Sequence, residues 1–222
     1  MEPCVHRFKT VSSTQAEARR LLVSGQAEAG HVVIAEEQSA GRGRFGRSWL
    51  SPRGGLYATF ILDQGPILSI RAGLAVVRVL GSFGLDAELK WPNDVLVAEK
   101  KLGGILVEKA DWHALVGVGI NLTATPLPSA TSAWAHGARI DRDALVLAVW
   151  EELRSDETAS ETLQAYRGYC TTIGRSVRIS PEGKVDPIEG IACDVDESGR
   201  LVLETPNGRR NVSTGECHHL DG

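Results

Sequence analysis

The sequence predicts an α+β chain in two parts: a mixed sheet with flanking helices over residues 1–172, then a small β-barrel domain over residues 173–222. Three observations carry this. Short apolar runs alternate with stretches of helical periodicity as far as residue 169, so strands and helices interleave. After Ile173-Gly174 the pattern changes to short strand-like segments at 176–180, 188–195, 200–205 and 209–214. They are separated by Pro181-Glu182-Gly183, Glu197-Ser198-Gly199 and Asn207-Gly208, the turn chemistry of a small antiparallel barrel. A chain of 222 residues, 42% hydrophobic, is long enough to bury one large core and one small one.

In chain order, Ser12-Ser13-Thr14-Gln15 precedes a helical stripe of Ala18, Leu21 and Leu22. Thr14 with Glu17 three residues on matches a capping box, which places the hydroxyls at a helix start. Such exposed amides and hydroxyls also suit a small polar ligand. Residues 32–35 and 56–62 read as strands, and 68–83 as a helix despite Gly73 and Gly81. In 89–108, LKWPNDVLVAEKKLGGILVE, two β-rich runs flank a short polar link, which predicts a hairpin bringing Lys90, Asn93, Asp94 and Lys101 to one edge. Pro92 stiffens the corner Trp91-Pro92-Asn93. Two glycines inside a strand, Gly103 and Gly104, predict close approach of a ligand or another strand. Residues 115–122 form a further glycine-interrupted strand reaching Asn121, and 123–132 a loop. Asp141 caps a helix carrying Leu145, Val149 and Leu153 on one face, and a second helix covers 158–169.

Residues 41–55, GRGRFGRSWLSPRGG, hold four arginines, five glycines and no acid. Like charge and few apolar groups predict a loop that stays mobile until an anion neutralises it, and that closes over a ligand. Gly41, Gly43 and Gly46 satisfy the dinucleotide fingerprint, but Pro52, Gly54 and Gly55 break any helix that would follow, so the context fails. A solvated basic face is the other reading. The net charge of −4 offers no global attraction to nucleic acid or membrane, so any basic function is local. Neither a leader-like segment nor a membrane-length apolar run occurs, and the expected localisation is cytoplasmic. Four scattered cysteines suggest neither a disulfide framework nor a zinc cage. Cys217-His218-His219 is the one metal-type cluster, and three successive strand residues cannot all face one ion.

GRGRFGRSW, KWPNDV, KLGGILVE and VGVGIN, in this order within residues 12–121, resemble the biotin protein ligases (biotin–[acetyl-CoA-carboxylase] ligases). The resemblance implies a mixed sheet of the class II synthetase type followed by an SH3-like domain. It implies ATP and Mg²⁺ as cofactors, biotin as substrate, and a lysine of a biotin carboxyl carrier protein as acceptor. Because the motifs begin by Ser12, no DNA-binding domain and no DNA partner are expected; no membrane partner is expected either, and a homodimer is left open. By the same resemblance, Ser13, Thr14, Gln15, Gln38, Arg42, Gly43 and Arg44 contact biotin, with Trp49, Gly103 and Gly104 walling its pocket. Lys101 bridges the biotin carboxylate and the α-phosphate, and shares the catalytic role with Arg42. The nucleotide falls to Arg44, Arg47, Asn93, Asp94, Lys101, Asn121 and Trp134, with Asp94 reaching the metal.

Two positions depart from the family pattern. Gln15 stands where many relatives have Asn. Trp134 follows Ala130-Thr131-Ser132, where an adenine-stacking aromatic is expected, although ordinary core is the other reading. Gly215-Glu216 reads as a surface turn, with a contact to the catalytic part as the alternative. Two other functions remain open: a lipoate or octanoate ligase or transferase, which needs a long apolar channel, and a non-enzymatic anion- or RNA-binding module. The latter would want aromatic platforms beyond Phe45 and Trp49.

Overall fold

The computed structural model describes residues 2–125, 127–181 and 186–220. In order, the first part comprises β1 (Cys4–Val11), α1 (Thr14–Val23), β2 (His31–Gln38), β3 (Leu56–Asp63), α2 (Leu68–Ser82), β4 (Glu88–Lys90), β5 (Asp94–Val97), β6 (Lys100–Ala110), β7 (His113–Ile120), α3 (Arg142–Leu153) and α4 (Ala159–Tyr169). Two short 3-10 turns, Arg44–Gly46 and Ala133–His136, lie in the loops. The strands form one mixed sheet in the order β1-β2-β3-β7-β6-β5-β4, parallel only between β1 and β2. α1 is the crossover that this parallel pair requires.

Burial explains the layers. Residues 56–61 of β3 are buried without a break, as in a central strand covered on both faces. On one face α1 sets Ala18 and Leu21 against Val33, Ile61 and Leu115. On the other lies α2, packed against α3 and α4, which is why it is buried on nearly every side. The hairpin turn between β5 and β6 consists of Ala98 and Glu99, both at positive φ (49° and 61°), the conformation of a two-residue hairpin loop.

β8 (Ser176–Ser180), β9 (Ile188–Val195), β10 (Leu201–Thr205), β11 (Gly208–Val212) and β12 (Glu216–His219) make a second, antiparallel sheet in the order β11-β10-β9-β8-β12. Four of these are the expected segments, and β12 is additional. Of the expected turn Pro181-Glu182-Gly183, the last two residues lie outside the described ones. Val177, Ile179, Leu201 and Leu203 join the core of the large sheet. Trp91 is the joint: its amide donates to Thr172 Oγ1 at 3.0 Å and its indole Nε1 to the Gly199 carbonyl at 3.1 Å. The stiff corner before Asn93 thus carries the small sheet.

The start of α1 differs from expectation. Ser13 is the extended residue before the helix and makes no side-chain cap, while Thr14 is already helical. Glu17 pairs instead with Arg20 at 2.7 Å. The capping box therefore does not form at Thr14, because its hydroxyl and amide are taken by Gln38. β1 and β4 also escaped the sequence reading, since neither has the apolar run of a buried strand. Among the described residues no helix is long and apolar enough to cross a membrane.

Candidate functional site

A cavity of about 670 Å³ opens where the start of α1, the residue 41–51 ribbon, β5–β7 and β12 meet. That volume lies in the ~300–1,000 Å³ range of small-molecule sites. Thirteen of the sixteen expected residues line it: Ser13, Thr14, Gln15, Gln38, Arg42, Gly43, Arg44, Arg47, Trp49, Asn93, Asp94, Lys101 and Gly104.

Its floor is made by missing side chains. Gly117 and Gly119, two residues apart on β7, share one face. A methyl group on Gly119 would stand 2.6 Å from Trp49 Nε1, and one on Gly117 would stand 2.9 Å from Gln15 Nε2. Only bare backbone lets the indole and the amide lie on the strand. Gln15 Nε2 donates to the carbonyls of Leu106 (2.9 Å) and Leu115 (3.3 Å), which fixes the side chain. Gln15 Oε1 and Trp49 Nε1 are then left buried without hydrogen-bond partners. One is an acceptor and the other a donor, and unmet buried groups of this kind cost about 1–3 kcal/mol each.

Hydrogen bonds fix the wall beside the floor. Thr59 Oγ1 donates to Thr14 Oγ1 (2.9 Å), while the amide and hydroxyl of Thr14 both donate to Gln38 Oε1 (2.8 and 3.2 Å). Gln38 Nε2 donates in turn to Ser51 Oγ (2.7 Å), tying the helix start to the ribbon. Tyr57 donates to the Pro52 carbonyl at 2.7 Å, and burial pushes its phenol up to about 12, so it stays protonated. Cys217 also lines the cavity, but burial pushes its thiol up to about 12, which makes it packing rather than a nucleophile.

The rim is charged: Arg42, Arg44, Arg47, Lys90 and Lys101 face the carboxylates Asp94 and Glu216. Lys101 Nζ lies 2.6 Å from Asp94 Oδ1 and 5.6 Å from the centre of the Trp49 ring. The arginine segment is a folded ribbon, with bridges Gln38 to Ser51 and Arg42 to Ser48 and a turn in which Gly43 N donates to Arg47 O at 2.8 Å. Arg44 donates to Asn93 Oδ1 (3.1 Å), the Gly215 carbonyl (3.3 Å) and Thr214 Oγ1 (2.6 Å). Arg47 forms a two-pronged pair with Glu216, which holds that carboxyl below its ordinary range. Groups elsewhere in the chain thus neutralise the ribbon, where a ligand was expected to do so. Gly215-Glu216 makes the contact read as the alternative to a plain surface turn. Arg42 is exposed and has no ion pair among the described residues.

Three expected residues do not line the cavity. Gly103 faces the other side of β6, where an added methyl group would collide with Ile120 and the Gly119 carbonyl; strand alternation sends only Gly104 inward. Asn121 is buried and donates from Nδ2 to the Thr131 carbonyl at 3.0 Å, bracing the loop paired with Lys101. Trp134 is 52% exposed, which excludes the core reading, and the Arg139 guanidinium sits 5.3 Å from its ring. Sequence reasoning passed over Gly117 and Gly119 as interruptions, although their spacing of two marked one bare strand face. Nothing in the sequence placed Ser129, Cys217 or His218 at this cavity, because they arrive from distant segments.

Residues 7–122 match the family model described as "Biotin/lipoate A/B protein ligase family", and residues 172–220 the one described as "Biotin protein ligase C terminal domain". The chain is 38% identical to the biotin–[acetyl-CoA-carboxylase] ligase of Mycobacterium tuberculosis, over 94% of this chain and 86% of that one. It is 33% identical to the enzyme of the same name from Paracoccus denitrificans, over 92% and 95%. Among solved structures, the biotin protein ligase from Aquifex aeolicus in complex with biotin and ATP matches 97% of each chain at 29% identity, with a TM-score of 0.84.

Proposed function

Because this chain belongs to the biotin/lipoate A/B protein ligase family, we propose that it is a biotin–[acetyl-CoA-carboxylase] ligase. It joins the biotin carboxylate to the α-phosphorus of ATP, expelling pyrophosphate. The lysine amine of a biotin carboxyl carrier protein then attacks the acyl carbon of biotinyl-5'-AMP, and AMP leaves. The observation that carries this reading is the two-ended cavity: a neutral floor with one orphaned acceptor and one orphaned donor, below a rim of five cationic side chains. A cyclic urea presents N–H and C=O groups to the first, and a carboxylate beside a triphosphate suits the second.

Position in the cavity supports the residue roles. Gln15 and Trp49 meet the neutral ring system, and Ser13 and Thr14 add hydroxyls at the positive end of α1. Arg42, exposed at the rim, takes the carboxylate, and Lys101 exchanges Asp94 for the α-phosphate, where charge grows as the new O–P bond forms. Arg44, Arg47 and Asn93 flank the phosphates, and Trp134 offers an exposed face to adenine. Mg²⁺ arrives with ATP as substrate; its usual demand of one or two carboxylates beside phosphate and water is met by Asp94, with Glu216 near. There it neutralises phosphate charge. The ribbon and β12 together exclude water from the mixed anhydride. Residues 1–172 form the catalytic part, residues 173–222 the SH3-like part that supplies Glu216, and the expected setting is the cytoplasm.

A lipoyl or octanoyl chain would lay an apolar tail on Gln15 Oε1 and Trp49 Nε1 and leave both unmet, so biotin is preferred. Pyrophosphate exchange into ATP is the test. Exchange that requires biotin and ignores lipoate supports the reading, and exchange driven by lipoate alone overturns it.

A further inference from the structure

At the outer edge of the large sheet, three side chains of metal-ligand type converge. In the parallel pair β1–β2, Cys4 lies opposite His31, and His6 is two residues beyond Cys4, so all three project from one face. Their ligand atoms, one sulfur and two ring nitrogens, lie within 4.8 Å of one another. His6 Nε2 and His31 Nδ1 are 2.9 Å apart. Tetrahedral zinc, with bonds of ~2.0–2.3 Å, spaces its ligand atoms by roughly 3.3–3.8 Å, so rotations about the side chains suffice to close the set. The backbone positions are already held by the strand ladder, and Phe8, next on the same face, packs under α1. Cys4 is exposed and both histidines are half-buried, so an ion has access.

We infer that Cys4, His6 and His31 form a binding site for a borderline-soft divalent transition metal, represented by Zn²⁺, with the fourth position open to water. One thiolate and two imidazoles suit Zn²⁺ and its neighbours, and discriminate against Mg²⁺ and Ca²⁺, which take oxygen ligands. The site is separate from the metal that accompanies ATP. Cys4 opens β1, whereas Ser13 at the cavity follows its far end, and an eight-residue strand at ~3.3 Å per residue sets them more than ~20 Å apart. The ion would clamp the edge strand β1 onto β2, so it stabilises the folded chain without touching the reaction.

The test uses the full, untagged chain, stripped with a chelator and titrated with Zn²⁺ or Co²⁺. One ion per chain is expected, with a rise in Tm on adding Zn²⁺, and with a thiolate-to-metal charge-transfer band for Co²⁺. His6→Ala and His31→Ala should each weaken binding more than ~100-fold, beyond the 10–100-fold cost of disturbing an outer partner. Cys4→Ser, at an exposed position where folding is not at stake, should abolish the charge-transfer band. Pyrophosphate exchange should be unchanged in all three, and a His218→Ala/His219→Ala double variant should bind the metal as the parent does. Failure to bind either ion overturns the assignment. So does undiminished binding in the His6 and His31 variants, a cobalt spectrum without the thiolate band, or loss of binding in the double variant alone.

Discussion

The floor and the rim of the cavity recognise by opposite means. On the floor, Gln15 and Trp49 lie against Gly117 and Gly119, and no charge is present; selection there is by volume and by two polar atoms. On the rim, Arg47 of the ribbon is paired with Glu216 and Lys101 with Asp94, half in solvent. A floor built on sheet tolerates no added atom and is indifferent to salt, whereas a rim of ion pairs tolerates volume and responds to salt and pH. Under the proposed function the two regions divide the work: the floor would read the neutral end of biotin without moving, and the rim would exchange partners to hold two anions.

The largest effect should come from the rim. Lys101→Ala should lower the rate of adenylate formation by about 10²–10³, the cost of losing one transition-state charge partner, while biotin affinity changes only a few-fold. Pyrophosphate exchange beside calorimetric biotin titration reads both, and wild-type turnover would remove Lys101 from the chemistry. Next comes the floor. Gly119→Ala forces Trp49 off β7, and overpacking costs of about 1–3 kcal/mol predict roughly 10- to 100-fold weaker biotin binding, equal in low and high salt. Unaltered affinity would mean that biotin does not reach this floor.

Smaller effects concern the latch between ribbon and β12. Binding of biotin with MgATP should slow amide exchange over residues 41–55, and equal protection with and without ligands would make the ribbon static. The Arg47–Glu216 pair has side-chain exposures of 55% and 37%, so its worth is about 0–1 kcal/mol. Glu216→Gln should therefore speed exchange of the ribbon by no more than a few-fold, most visibly at low salt. The carboxyl of Glu216 is depressed below its ordinary 4.5 chiefly by its hydrogen bonds with Arg47. Its contribution is thus complete above that value and fades as pH falls through the lower folded value. Exchange corrected for intrinsic rates should rise below pH 4.5 in the parent and not in Glu216→Gln; the same rise in both would place the titration elsewhere.

Much of the molecule could be read locally. The hairpin between β5 and β6, the Asp141 cap and four strands of the small sheet were legible, because turn chemistry, capping and strand alternation depend on neighbours a few residues away, whereas the thirteen expected residues that line the cavity came from the family resemblance of the motifs. Gly103 approaches another strand, β7, and Gly104 faces the cavity; a pair of glycines does not say which of the two points inward, because that depends on the pairing with β7. Thr14 was taken for a cap because Gln38, which claims its amide, is 24 residues distant. The counter-charge of the ribbon, Glu216, was not legible because it lies 169 residues away.

By itself, then, the sequence determined the alphabet of elements, the hairpin that presents Lys101 and Asp94, and the motif set pointing to biotin activation. Tertiary structure alone decided which glycine faces the cavity, which ribbon arginine pairs with Glu216, and that Cys4 and His6 meet His31 across a parallel ladder. Short-range preferences act within a turn or two of chain, while strand register and docking of the second sheet are settled by burying a shared core.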